Sequence, residues 1–298
     1  MSIPTPFTTI VSPTTHDLGG FKVRRALPSR EARMVGPFVF VDEFGPARLD
    51  PGTGMDVRPH PHINLATVSW LFEGAIDHRD SIGTFSTIHP GTVNLMTAGS
   101  GIVHSERSPA TERAEGPALY GMQTWLALPD GQEEIDPAFE AVSDLPRIED
   151  TGVSATIIMG ELWGKRAPVT TYAETIYAEI NLAPGGTVPV DSPADERALM
   201  LVGGEARVDG FPLEPYALNL LAPGAKMTLS SETGGKVMLL GGEAFPTRRH
   251  VWWNFVSSDR ERIEQAKADW REGRFAKVPG DTEEFIPLPE RPKTVSYP

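Results

Sequence analysis

The sequence predicts an all-β protein of two jelly-roll β-barrel domains with one short helix near the C-terminus. Three observations carry this. The 298 residues exceed what one hydrophobic core usually holds and suit two domains of about 150 residues each. Short apolar runs recur between turns rich in glycine and proline, as in a barrel or sandwich. That pattern occurs twice, with a polar stretch between. Glycine (29) and proline (28) are both abundant, which favours many short elements over long helices.

In the first half, GPFVFVDEFGP (36–46) sets an apolar strand from Phe38 to Val41 between Gly36-Pro37 and Gly45-Pro46. The runs ATVSWLF (66–72), GTFSTI (83–88) and TVNLMTA (92–98) follow as strands. Breaks fall at Glu73-Gly74, Asp80 to Gly83, Pro90-Gly91 and Gly99 to Gly101. Residues 129–150 are polar and contain proline, as a linker does. A second set starts near Tyr172 with TIYAEINL, the turn APGG, RALMLVGGEARVDG, FPLEPYALNLLAPG, AKMTLS and KVMLLGG. The halves echo each other: WLFEGAIDH (70–78) resembles MLVGGEARV (200–208), and HPGTVNLMTAGSGIVHS (89–105) resembles EPYALNLLAPGAKMTLS (214–230). The expected domains are therefore 1–130 and 131–298. A helix is expected over about 258–272, with Ser258 as N-cap and Glu261 completing a capping box. Ile263, Ala266 and Trp270 follow at helical spacing, and Gly273 supplies a left-handed stop. Trp252, Trp253 and Phe255, just before it, are expected to pack as core.

Composition narrows the function. The absence of cysteine excludes disulfides, thiolate metal sites and a cysteine nucleophile. It suits a reducing compartment, and the N-terminus shows no basic start followed by an apolar run, so a cytoplasmic protein is expected. No stretch approaches the roughly 18 apolar residues of a membrane-spanning helix. A net charge of −13 argues against direct binding of nucleic acid or of an anionic membrane surface.

Chemistry concentrates in the histidines. Of the seven, at 16, 60, 62, 78, 89, 104 and 250, five lie between 60 and 104. His60 and His62 are two apart, so on a strand both imidazoles share a face. His104 and Glu106 repeat that spacing. Two such pairs on neighbouring strands can aim four ligand atoms at one volume. Three imidazole nitrogens and a carboxylate oxygen suit Fe(II), Mn(II), Ni(II), Cu(II) or Zn(II). His16 and His250 read as surface groups; His78 and His89 flank a turn, at the surface or beside the site.

At these residues the chain resembles the pirin family of bicupins. GPFVFVDEFGP (36–46), RPHPHINLATVSWLFEGAIDHRDSIG (58–83) and HPGTVNLMTAGSGIVHSE (89–106) look like the pirin N-terminal domain. The ending RRHVWWNFVSSDRERIEQAKADWREGRF looks like the tail of bacterial pirin-like proteins. The resemblance implies two cupin barrels and one divalent transition metal, with Fe(II) the first expectation, held by His60, His62, His104 and Glu106. It implies a C-terminal barrel without metal, and no histidine occurs between 105 and 249. One departure stands out. The family usually reads HPH-x-G-x-E-T-V, where this chain has Asn64 and Ala66. The missing carboxylate is expected near the metal, where it would serve as a base or hydrogen-bond partner.

The first functional expectation is a dioxygenase of the quercetin 2,3-dioxygenase type, using O₂ and a flavonol-like aromatic substrate. Glu106 and His78 are its candidate bases. The alternative is a non-catalytic, metal-dependent and redox-sensing regulator that binds a protein partner. A third class, another cupin enzyme such as a sugar isomerase or epimerase, would want clustered basic residues near the motif, and only Arg58 and Arg79 are at hand.

Overall fold

The structure is a computed structural model that describes residues 5–17 and 21–290. Residues 1–4, 18–20 and 291–298, which fall within the expected domain spans, lie outside the described residues. Strands dominate, and the helices among the described residues are Ala110–Glu115 and Arg260–Arg271. The all-β expectation holds.

The chain forms two compact units that interleave along the sequence. One is built on 40–143, with the described residues of 15–23 and 246–298; the other is built on 144–245, with those of 1–14 and with 24–39. A linear division at residue 130 does not anticipate this. The strand Phe7–Val11 shows why: it pairs with Leu218–Leu221, far along the chain. Its alternating burial marks a half-buried strand, but alternation carries no record of its partner.

The histidine-bearing unit contains a sheet in which Ala138–Val142, Val93–Thr97, Leu65–Gly74, Ala118–Ala127 and Phe38–Arg48 are neighbours in that order. A four-stranded sheet, ordered Asp56–His62, Ile102–Arg107, Ile76–Asp80, Phe85–Ile88, completes it. The second unit repeats the plan. Its larger sheet runs Phe7–Val11, Leu218–Leu221, Glu196–Gly204, Gly235–Gly242, Thr175–Leu182, Val153–Leu162, Arg147–Asp150, and a four-stranded sheet of short strands joins it. The polar segment expected as a linker contributes an edge strand to each unit: Ala138–Val142 pairs with Val93–Thr97, and Arg147–Asp150 with Val153–Leu162. Edge strands face water and carry polar residues, so composition alone reads them as linker.

The helix forms one position later than its capping box suggests. Asp259 is the N-cap, in an extended conformation, and its carboxylate accepts from the Glu261 amide. Ser258 is taken by Glu133, whose carboxylate accepts from the Ser258 hydroxyl at 2.5 Å and its amide at 2.7 Å. That charged acceptor fixes the Ser258 side chain toward Glu133, and the neighbouring Asp259 carboxylate caps the helix instead. Gly273 ends the helix at φ 69° as expected. The buried face, Ile263 and Ala266, packs on Ile63 and Phe255, with Trp252, Trp253, Trp270 and Phe275 around it. Ile63 stands directly after His62, so this cluster backs the histidine strand.

Candidate metal centre

His60 and His62 end the strand Asp56–His62, and His104 lies in its antiparallel neighbour Ile102–Arg107 with His104 opposite His60. All three are buried, and each offers a ring nitrogen within 4.8 Å of those of the other two. His60 Nδ1–H donates to the Arg58 carbonyl at 2.9 Å, and His62 Nδ1–H donates to the Asn254 carbonyl at 3.1 Å. Each Nε2 is thereby left with a free lone pair. The Nε2 atoms of His62 and His104 are 3.1 Å apart. Two nitrogens about 2.1 Å from one ion at right angles would stand roughly 3.0 Å apart, so the spacing fits a shared cation.

Burial is the main cause that holds the imidazoles neutral. It lowers His60 from 6.5 to about 4, against a raising contribution from the Arg58 carbonyl and with His78 lowering it further. His62 is held well below its ordinary value by burial and His60, against the Asn254 carbonyl. His104 is held well below by burial, then by His60, His62 and His78. Neutral imidazole is the ligating form.

Glu106 lies outside the 4.8 Å set. A bulge intervenes between it and His104: His104 pairs with His60 but Glu106 with Val57, so Ser105 alone lies opposite Arg58 and Pro59. On its other side Glu106 stands opposite His78. Burial raises its carboxyl above the ordinary range, and His78 partly offsets this.

His78 is buried within the strand Ile76–Asp80 that leads into the turn, on the side of the site, whereas His89 is exposed and His16 and His250 are half-buried. His78 Nε2 faces Asp80 Oδ2 at 3.1 Å, and its Nδ1 faces His104 Nδ1 at 3.4 Å. Asp80, fully buried, also accepts from the amides of Ile82 and Thr84 through Oδ1. Burial would raise its pKa, but the bonds from His78 and Thr84 prevail and hold it below the ordinary carboxylate value. Aromatic rings close the surroundings: Trp125 meets His62 edge-on at 5.0 Å, Phe40 stacks on Trp125 at 3.9 Å, and Phe139 stacks on His78 at 4.7 Å. Asp80, Trp125, Phe139 and the Asn254 carbonyl were not among the expected site residues. Asp80 had a readable signal, its i, i+2 spacing from His78.

Asn64 adopts φ 57°, a left-handed conformation that glycine takes freely and asparagine tolerates best among the others. Its side-chain amide donates to the Glu133 carbonyl and to Glu134 Oε1. Ala66 pairs with Thr97 and Leu126, whereas Thr67 pairs with Trp125 and Met96. Strand alternation places Ala66 on the face opposite Trp125, the ring that touches His62. Position 66 is thus turned away from the histidines, which corrects the expectation of a carboxylate beside them. A cavity of about 740 Å³ in the second unit is lined by Glu161, Trp163, Arg166, Tyr172, Glu174 and Asp191 among others, with no histidine in its lining.

Comparison with known proteins agrees with this architecture. Residues 20–126 match the family model described as Pirin, and 177–276 match that of the Pirin C-terminal cupin domain. A pirin-like protein of Caulobacter vibrioides is 47% identical, covering 92% of this chain and 96% of that protein. Human Pirin is 29% identical over 86% of this chain and 88% of its own length. The crystal structure of a quercetin 2,3-dioxygenase from Acinetobacter baumannii superposes with a TM-score of 0.89 at 33% identity, covering 97% of each chain. With both barrels matched and the three histidines converging in the first, the chain belongs to the pirin family.

Proposed function

We propose that this protein is a mononuclear metal-dependent oxygenase of the quercetin 2,3-dioxygenase type, acting on a flavonol-like aromatic substrate with O₂. The observation that carries the reading is the cluster of three neutral, buried imidazoles with unprotonated nitrogens aimed at one volume, walled by Trp125 and Phe139. His60, His62 and His104 would hold a divalent transition metal, Fe(II) in the first instance, with Glu106 as fourth ligand. When bound, the metal supplies an open position for an oxygen donor and a centre for dioxygen chemistry. The aromatic walls suit a planar apolar substrate and exclude water. Glu106, half-buried and with its carboxyl raised above the ordinary range, is the candidate base for the proton of a substrate hydroxyl. The A. baumannii structure, 33% identical, supports the substrate class.

The test combines metal analysis with oxygen uptake. The protein, purified without a His-tag, is reloaded anaerobically with Fe(II), Mn(II), Ni(II) or Cu(II) and mixed with quercetin in an oxygen electrode. The expected result is one metal per chain and quercetin-dependent uptake that vanishes in His104→Ala. Metal without uptake for any flavonol refutes the oxygenase reading for that class.

One feature favours a second reading, a regulator with a protein partner. The turn that Asp80 holds displays Ile82, 46% exposed, and Phe85, 60% exposed. A partner reading metal state would sit there. That reading requires partner binding that changes on metal removal and is lost in an Ile82→Ser, Phe85→Ser double variant.

A further inference from the structure

We infer that Asp80 and His78 form a relay that sets the tautomer of His104 and so prepares its Nε2 as a metal ligand. The inference rests on the metal-site reading above and adds two residues that do not touch the ion. Its basis is a single chain of contacts: Asp80 Oδ2 to His78 Nε2 at 3.1 Å, then His78 Nδ1 to His104 Nδ1 at 3.4 Å, then His104 Nε2 facing His62 Nε2 at 3.1 Å.

Each neutral imidazole has one N–H and one bare nitrogen, so one assignment propagates to the next. Asp80 is a carboxylate and only accepts, so His78 carries its proton on Nε2 and leaves Nδ1 bare. A bare His78 Nδ1 requires a donor, so His104 carries its proton on Nδ1. His104 Nε2 is then bare. His62 Nε2 is bare too, because His62 Nδ1–H is spent on the Asn254 carbonyl. Two lone pairs face each other across 3.1 Å, an arrangement that a cation between them resolves. The reverse assignment would let His104 Nε2–H donate to His62. It would also put a bare His78 nitrogen against the Asp80 carboxylate in a buried site, where like-sign electron density is costly. The carboxylate therefore decides, and its polarity reaches the metal through two rings. Asp80 is itself anchored: Oδ1 accepts from Ile82 and Thr84 amides, so Oδ2 alone is offered to His78.

This assigns His78 a positioning role rather than that of base. Both its nitrogens are engaged, which leaves Glu106 as the proton acceptor. Carboxylate–histidine–metal arrangements of this kind fix ring orientation and raise ligand basicity, and their loss typically costs 10–100-fold in metal affinity.

The test is Asp80→Asn. The amide retains an oxygen for Ile82 and Thr84 and presents an NH₂ to His78, which reverses the polarity of the chain without removing an atom position. Two readouts are used. The first is the imidazole ¹⁵N spectrum of the metal-free protein, which reports which ring nitrogen carries the proton. Wild type is expected to show protonated Nδ1 on His104 and protonated Nε2 on His78; Asp80→Asn is expected to move both protons to the other nitrogens. The second is Co(II) or Ni(II) affinity by competition titration, expected to fall 10–100-fold in Asp80→Asn with the fold unchanged by circular dichroism. Unchanged tautomers or unchanged affinity in the variant overturns the relay. So does a wild-type His78 protonated on both nitrogens. A wild type that takes up neither metal overturns the site reading itself, and that failure is distinguished because it appears before any substitution.

Discussion

Lowering the pH should destabilise the metal-free protein through His60, and the size of the effect follows from its burial. In the unfolded chain this imidazole titrates near 6.5; in the fold it titrates near 4, chiefly because burial disfavours its charged form. At high pH both states are neutral and His60 contributes nothing adverse. Below 6.5 the unfolded chain binds a proton that the native state refuses, so stability is lost as the pH falls toward 4. Taking the two pKa values, the loss attributable to His60 is about 2 kcal/mol at pH 5 and about 3 kcal/mol at pH 4. Urea unfolding of the chelator-treated protein at steps between pH 7.5 and 4, beside His60→Gln, isolates it. The wild type should lose stability relative to the variant by those amounts. His60 also depresses His62 and His104, so the variant relieves some of their penalty as well, and the two curves diverge further. Parallel curves across the range would refute the claim that His60 is buried and neutral. Bound metal should flatten the wild-type curve above pH 5 or so, since coordination opposes protonation.

Four further outcomes are expected. His62→Ala or His104→Ala should abolish metal uptake by mass spectrometry while leaving a cooperative thermal transition, because strand packing rather than the ion holds the barrel. Phe255→Ala should cost about 3–5 kcal/mol in urea unfolding, since Phe255 is fully buried against Ile63 and Ile263. It should also loosen metal binding, because neighbouring Asn254 supplies the carbonyl that orients His62. Gly99→Ala should be more damaging than its size suggests: φ is +50° and the new Cβ would fall 1.9 Å from the Ile135 carbonyl oxygen, so the backbone must shift, and soluble yield together with Tm reads it. Arg197→Lys should cost on the order of 2–4 kcal/mol, because one ammonium cannot span the carbonyls of Val190, Ala222 and Ala225 that the guanidinium bonds.

What is legible in the sequence depends on the range of the interaction. The strand Thr175–Leu182 coincides with TIYAEINL, because apolar content and turn residues at its ends are local signals. The pairing of His60 with His104 was legible for a related reason: two i, i+2 histidine-bearing motifs have a natural meeting place on adjacent strands. The displacement of the helix cap from Ser258 to Asp259 was not legible, since it depends on Glu133, 125 residues away. The same holds for Asn254, whose contribution to His62 is a backbone carbonyl and leaves no mark in side-chain type. The bulge between His104 and Glu106 also escapes a period-two reading, because one extra residue on the partner strand breaks the register that the spacing assumes.

The second unit is built on a span, 144–245, that has no histidine, and the same barrel plan there buries other side chains. On one face of its larger sheet Tyr177, Met200, Met238 and Leu240 are buried, with no imidazole or carboxylate among them. Phe38 packs edge-on against Tyr177 at 5.4 Å. A fully buried cation of this unit, Arg197, is turned to backbone carbonyls and fastens loops. A buried charge is tolerated there because its two terminal nitrogens are met by carbonyl oxygens, although burial lowers its pKa. In the histidine-bearing unit the polar groups are arranged differently. Nδ1 donors are paired with carbonyls and with the His78–Asp80 chain, while acceptors are left bare at one point. Three unpaired acceptors in a buried site destabilise a metal-free fold and stabilise a metal-bound one. The distinction between the two barrels thus lies less in their shape than in where each leaves its hydrogen bonds unmade.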